Sequence, residues 1–378
     1  MKKLPPMPVD HPGSFIAEEL EARGWLQADL AYILGMDAGQ LNKLISGKAD
    51  INPDIAMALG DAFDMPPDFF MNLQKIYDLN RAKKADPGVR ARASWLSAFP
   101  VREMIKRGWI EDAEPGLLDL QMMRFFEKNR VADIPFVGGA ELMAHAEKKS
   151  DYEETTPVQY VWLTRVRKIA EQMDCPPYSE ASLRDSLATI RSHMMEKEDF
   201  SRIPHILKKC GVRFVVVEAL PGSKIDGVCV WIGDQPVIGM TLRLDRADNF
   251  CFVLRHEIEH VLKKDGVAMT FAPVDEFDPD APDDERECEK AADEAAAEFC
   301  VPQALLASFI VRKSPFISER DVLTFAARIE INPAVVVGQI QRKTKRWTFL
   351  RKYQTSVREY LLDWKYKDGW GNHAPTGL

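Results

Sequence analysis

No apolar run in this 378-residue chain reaches the roughly 18 positions that a membrane-spanning helix needs, so no membrane partner is expected. The opening stretch MKKLPPMPVDHPGSF has lysines but no apolar segment behind them, and no export signal is expected from it. Cysteine is scarce. Cys175, Cys210, Cys229, Cys251, Cys288 and Cys300 are scattered, with no C-x-x-C pair. That excludes a thiolate zinc cluster and disfavours a disulfide scaffold; free thiols in a reducing cytoplasm are expected. Internal repeats and low-complexity tracts are also missing. Positive charge is in deficit, with 50 Lys and Arg against 58 Asp and Glu and a net charge of −8. A chain that coats nucleic acid along its length is thereby excluded, though a local patch is not. What remains is globular, with 46% apolar and 29% charged residues, and its length predicts two or three domains.

From Pro12 to Leu79 the pattern predicts several short helices. HPGSFIAEELEARG sets Phe15, Ile16 and Leu20 at helical spacing and stops at Gly24. LQADLAYILGM and DAGQLNKLISGKAD form two more around a turn at Gly35, with Asp37 as N-cap and Gly47 as stop. Asn52 caps the next helix, which has Pro53 at its first position. Two short helices joined by a tight glycine-bearing turn can place the second in a DNA major groove. The same geometry also serves as a docking or dimerisation module. Through Asn80 there are twelve acidic and six basic residues. Phosphate contacts supply most DNA affinity, so this balance counts toward the docking alternative.

Over residues 11–80 the segment resembles the Xre-type helix-turn-helix of HigA-like antitoxins, through HPG, ALGDAFDMPPDFFMNLQ and YDL. The resemblance implies operator DNA as a partner and Ala38 to Ile45 as the recognition helix. Gln40, Asn42 and Lys43 would face the groove, with Lys48 near a phosphate. A homodimer is a further expectation.

NRAKKADPGVRARASWLS is basic, punctuated by Pro87 and Gly88, and reads as a linker. FPVREMIKRGWI then opens a helical run to about Lys209, in which Trp162, Val166 and Ile169 mark a core-facing stripe. His145, His193 and His205 are isolated and read as structural or surface residues. From Gly211 the texture changes. GVRFVVVEAL, GVCVWIG and PVIGMTL predict three short strands with turns at LPGSKIDG and GDQP. A helix from about Asp245 to Lys264 packs on them through Phe250, Val253, Leu254, Ile258, Val261 and Leu262.

That helix carries H-E-x-x-H. Four-residue spacing puts His256 and His260 one turn apart on one face, so both imidazoles can reach a single ion. Zinc suits neutral imidazole. Glu257 projects further round the helix, where it can act on a water as general base without coordinating. A catalytic zinc needs a third protein ligand. In KAADEAAAEFCVP and the acidic stretch before it, Glu289 and Asp293 stand one turn apart. Glu289 can face the ion while Asp293 accepts a ligand histidine's N–H. Glu285, Glu287, Glu294 and Glu298 compete for the ligand role. Arg243, Arg246 and Asp226 are candidates for substrate contact; for the arginines the alternative is an ion-paired helix start with Asp248. The strand after Asp226 can take an extended peptide by edge pairing.

Residues 211–341 resemble the ImmA/IrrE family of HExxH metallopeptidases, through LPGSKIDGVCVWIGDQPVIGMTLRLDRADNFCFVLRHEIEHVL, EKAADEAAAEFCVP and INPAVVVGQIQ. FPVREMIKRGWI and WLTRVRK resemble the spacer that precedes such a domain in HigA-like proteins with long C-terminal extensions. The resemblance implies Zn2+ held by His256, His260 and Glu289, with Glu257 as base, and cleavage of a repressor-type regulatory protein. Glu259, Ala291 and Ala295 depart from the family pattern without removing a ligand or the base.

The expected fold class is α+β multidomain. Residues 1–80 form an all-α helix-turn-helix domain, 81–210 a linker and helical spacer, and 211–341 a zincin-like α+β domain with a small sheet. Residues 342–378 form a basic, aromatic tail, QRKTKRWTFLRKYQTSVREY reading as a docked amphipathic helix and DGWGNHAPTGL as frayed. The function implied is a cytoplasmic zinc-dependent endopeptidase fused to a DNA-binding domain, with a repressor or toxin-type protein as partner. The alternative is an antitoxin or transcriptional regulator whose metal-site domain senses or binds and does not cleave.

Overall fold

The computed structural model describes residues 9–83, 86–112, 115–137, 155–265, 287–361 and 363–374. His145, Glu285 and most of the acidic stretch before Glu289 lie outside these residues, as does the Glu287 side chain. The chain divides into two compact units, Met1–Asp86 and Pro87–Leu378.

The first unit is all helical: α1 (Pro12–Arg23), α2 (Gln27–Leu34), α3 (Ala38–Ile45), α4 (Pro53–Phe63) and α5 (Pro67–Arg81). Local chemistry sets each boundary. Gly24 and Gly35 end α1 and α2 in the left-handed region. The Asp37 carboxylate accepts from Gly39 N at 2.8 Å, and Asn52 Oδ1 accepts from Ile55 N at 2.9 Å. Ile16, Leu30, Leu41, Leu59, Phe63 and Phe70 form the buried centre.

The second unit begins with α6 (Pro87–Ala98) and α7 (Val101–Lys106). The stretch that reads as a linker is thus helical from Pro87. A proline is tolerated at a helix's first position, and Trp95 and Phe99 bury one turn apart. There follow α8 (Leu118–Phe126), α9 (Pro157–Glu171), α10 (Glu180–His193) and α11 (Ile203–Lys209). The expected strands are β1 (Arg213–Val217), β2 (Gly227–Ile232) and β3 (Gln235–Met240). Beyond them lie α12 (Ala247–Lys263), α13 (Glu287–Cys300), α14 (Gln303–Lys313), α15 (Glu319–Ile329) and α16 (Pro333–Thr344). No single described helix is long and apolar enough to cross a membrane.

The sheet is mixed, in the order β2-β3-β1-β4. β2 and β3 are an antiparallel hairpin, and β1 runs parallel to β3. Helix α9 packs on the sheet: Trp162 is fully buried and donates its indole N–H to Val217 O at 3.1 Å. Gly239 of β3 makes the approach possible, since a β-carbon there would crowd Val166 and Trp162. The spacer and the sheet therefore share one core.

The fourth strand corrects the reading of the tail. Lys345 and Leu350 adopt left-handed backbone, which ends the helical path. Short 3-10 turns at Arg351–Tyr353 and Arg358–Leu361 lead into β4 (Lys367–Asp368), parallel to β1. Three distant partners hold this path. The Asp245 carboxylate accepts from Val357 N at 3.0 Å and Arg358 N at 2.8 Å. Trp364 donates to Phe214 O at 2.9 Å. Asp368 is buried in an ion pair with Arg165, whose Nε lies 2.8 Å away, and accepts from Trp109 Nε1 at 3.1 Å.

Candidate metal centre and recognition helix

Helix α12 turns His256 and His260 to one face, and both are buried. Their Nε2 atoms lie 3.0 Å apart. Helix α13 brings Glu289 to the same point, with Oε2 3.2 Å from His256 Nε2 and 3.5 Å from His260 Nε2. Three ligand atoms around a tetrahedral zinc at roughly 2.0–2.1 Å stand about 3.3 Å from one another. The observed triangle fits that ion.

Each ring is also held from behind. His256 Nδ1 lies 3.0 Å from Asp293 Oδ1, and His260 Nδ1 lies 2.9 Å from Asp265 Oδ2. With Nδ1–H donating to these carboxylates, both Nε2 lone pairs aim at one place. Lone pairs at that separation repel unless a proton or cation lies between them. Burial opposes a charged His260, but its hydrogen bond to Glu289 and the field of Glu257 outweigh burial and raise its pKa to about 9. The centre is built to hold positive charge. Asp293 follows the same logic: burial pushes its carboxyl up, yet the bonds from His256 and Arg342 bring it below the ordinary range. Arg342, from α16, donates to Asp293 and lies 4.1 Å over the Phe252 ring of α12. Three helices thus converge behind His256.

Glu257 is 1% exposed. Its carboxylate packs against Gly227 at the start of β2, where any β-carbon would overlap it. That close approach places a carboxylate beside the ligand triangle, at the edge strand of the sheet.

Other acids on α13 do not join the triangle. Glu294 is exposed, and the exposed Glu298 accepts from Gln303 N at 2.8 Å. Glu259 is paired with Arg255 at 2.7 Å. Arg246 bonds Asp248 at 2.6 Å and Gln341 at 3.0 Å, which ties the start of α12 to α16. Asp226 is buried beneath Arg243, which grips it at 2.8 and 3.2 Å; burial raises the Asp226 carboxyl and Arg243 opposes the rise. His193 lies 3.7 Å from Asp199, and His205 packs edge-on against Trp364. All six cysteines are free thiols; burial pushes Cys251 well up and Cys300 to about 12.

Two functional candidates escape sequence reasoning. Asp265 directly follows the left-handed Lys264 that ends α12, and its amide returns to His260 O at 3.0 Å. A carboxylate just past the helix end, five residues from a ligand histidine, is the signal that could have found it. Arg342 lies 49 residues beyond Asp293 and has no local signal.

In the first unit, α3 buries Leu41 and Leu44 and leaves Gln40, Asn42 and Lys43 exposed; Lys48 is exposed just beyond it. Four side chains that can contact DNA therefore stand on the surface of one helix and the turn after it.

Comparison with known proteins agrees for this unit. No curated protein matches the chain. Among solved structures, an addiction module antidote protein of a HigA family from Coxiella burnetii is 32% identical, over 19% of this chain and 80% of its own, with a TM-score of 0.19. PA4674 from Pseudomonas aeruginosa, in complex with its operator DNA, is 35% identical over 20% of this chain and 81% of its own, TM-score 0.19. The Pseudomonas aeruginosa antitoxin HigA with the higBA promoter is 31% identical over 23% and 96%, TM-score 0.21. A family model described as Helix-turn-helix matches residues 16–70, and that part of the chain is a helix-turn-helix domain.

Proposed function

We propose that the second unit is a zinc-dependent endopeptidase acting on a regulatory protein, and that the helix-turn-helix domain binds operator DNA. The observation that carries the first part is the triangle of His256, His260 and Glu289, each ring backed by its own carboxylate, with Glu257 buried beside it. These three side chains would hold the ion. Zinc, when bound, supplies a Lewis acid that makes water nucleophilic near neutral pH and polarises a carbonyl.

The chain's own groups do the rest. Glu257 takes a proton from the attacking water on its carboxylate and delivers it to the departing amine nitrogen. Asp293 and Asp265 keep both rings in the Nδ1–H form. β2 is paired only with β3 among the described residues, so its outer side can bind an extended peptide main chain to main chain.

DNA binding is supported by the family match over residues 16–70 and by the exposed Gln40, Asn42, Lys43 and Lys48. That match also favours a second reading, an antitoxin-type regulator whose metal centre senses without cleaving. Metal analysis beside Glu257→Gln separates the two. The wild type should carry stoichiometric zinc, and Glu257→Gln should keep the zinc while losing cleavage of the regulatory protein. A wild type without stoichiometric metal sinks the enzyme reading. Glu257→Gln with zinc and full cellular activity replaces cleavage by sensing.

A further inference from the structure

Arg243 has no part in the ligand triangle, yet it lies one short step from the buried base. Its Nε and Nη2 hold Asp226, and the next residue is Gly227, against which Glu257 packs. The side chain of Arg243 keeps 36% of its surface exposed. It lines an open cleft of about 480 Å³, together with Lys106, Arg107 and Lys224.

The charge in this cleft is one-sided. Its two acids are both engaged: Glu103 with Lys106 and Arg107 at 3.5 Å each, Glu218 accepting from Trp370 N at 2.7 Å. Arg107 also donates to the carbonyl oxygens of Glu218 and Ala219 at 2.6 and 2.8 Å, which anchors the guanidinium without cancelling its charge. Four cations face two acids. The guanidinium groups are already bonded to protein oxygens, so neither presents the open two-pronged fork that grips a phosphate. What is left is a broad positive field over an open cleft. Lys224 and Leu242, beside Arg243, both hold left-handed backbone at φ 50 and 52, the kind of constraint that gathers at binding sites.

The cleft also lies where a bound chain would pass. β2 starts at Gly227, so a peptide laid along its outer side that passes Glu257 continues toward Arg243. We propose that the cleft is a subsite for acidic side chains of the protein substrate, an inference that rests on the peptidase reading above. Carboxylates on an extended chain match the field, the breadth and the position together. A compact phosphate matches only the first.

Binding of a fluorescein-labelled decapeptide rich in Asp and Glu tests this, against the same peptide with Asn and Gln. The measurement uses zinc-loaded full-length Glu257→Gln, so that nothing is turned over, at low salt. The acidic peptide should bind about tenfold more tightly, as for unscreened charge pairs at an interface. Lys106→Glu with Lys224→Glu should remove that preference and leave the neutral peptide's affinity unchanged. Arg312→Glu, on an exposed face outside the cleft, should leave both affinities as they were. Equal affinity for the two peptides overturns the proposal, as does a preference that survives both lysine reversals. So does tight binding of inorganic phosphate that the same reversals abolish while the peptides fail to bind. A folded double variant is confirmed by its unchanged circular dichroism. If Lys106→Glu with Lys224→Glu does not fold, Lys106→Gln alone must still lower the preference measurably. The peptidase reading fails by a different signature, the lack of stoichiometric zinc, so the two failures are told apart.

Discussion

Asp265→Ala tests whether the metal centre depends on the carboxylates behind its rings. In the protein, Asp265 Oδ2 accepts from His260 Nδ1 at 2.9 Å. Removing it frees the ring to rotate and to place its proton on Nε2, the atom that must be bare to bind an ion. Loss of such an outer carboxylate typically weakens metal affinity by about 10–100-fold. That corresponds to about 1.4–2.7 kcal/mol of binding free energy. The side chain is 33% exposed and its backbone bonds survive the change, Trp231 Nε1 still donating to Asp265 O at 3.0 Å. The apo protein should therefore unfold at nearly the same denaturant concentration. The assay is zinc competition against a chelating dye, with apo stability measured in parallel. An affinity within about twofold of wild type would refute the reasoning, because the ring would then be oriented by packing alone.

Two more outcomes are expected. Arg165→Met should cost about 3–5 kcal/mol, because it strands the Asp368 carboxylate, 1% exposed, with Trp109 as its remaining neutral donor. Chemical denaturation measures this, and a loss under about 1 kcal/mol would show that water reaches the pair. His11 caps α1 by accepting from Gly13 N at 2.9 Å, which requires a bare Nδ1. Burial holds its pKa below the usual 6.5, Arg81 acting with burial and Asp50 and Asp78 against it. The unfolded chain then takes up the proton first, so the cap's contribution is complete above pH 6.5 and fades as pH falls through the lower folded value. Amide exchange in α1 should quicken on acidification, and His11→Asn, which can cap without titrating, should remove that response.

The helical period made much of the centre legible. His256 and His260 share a face because their spacing is one turn, and a sheet is written in the β-branched stretch after Gly211. Glu289 was one acid among several, and only the approach of α13 to α12 distinguishes it from Glu294 and Glu298. Asp265 and Arg342 act through space, on residues that no local pattern links to them. Pro87 and Gly88 suggest a break, yet the same proline suits a helix start. β4 was illegible for a plainer reason: two residues have no periodicity, and their partner strand lies about 150 residues earlier.

That last strand has a consequence for how the protein is made. Arg165 is synthesised long before the Asp368 that neutralises it, and β1 before the strand that closes its edge. The helix-turn-helix unit draws its contacts from Met1–Asp86 and can fold while the ribosome is still at work on the rest. The second unit must wait for residue 368. During translation, therefore, a nascent chain can present its recognition helix before its metal centre is in place. A destructive activity is withheld until nearly the whole polypeptide has emerged.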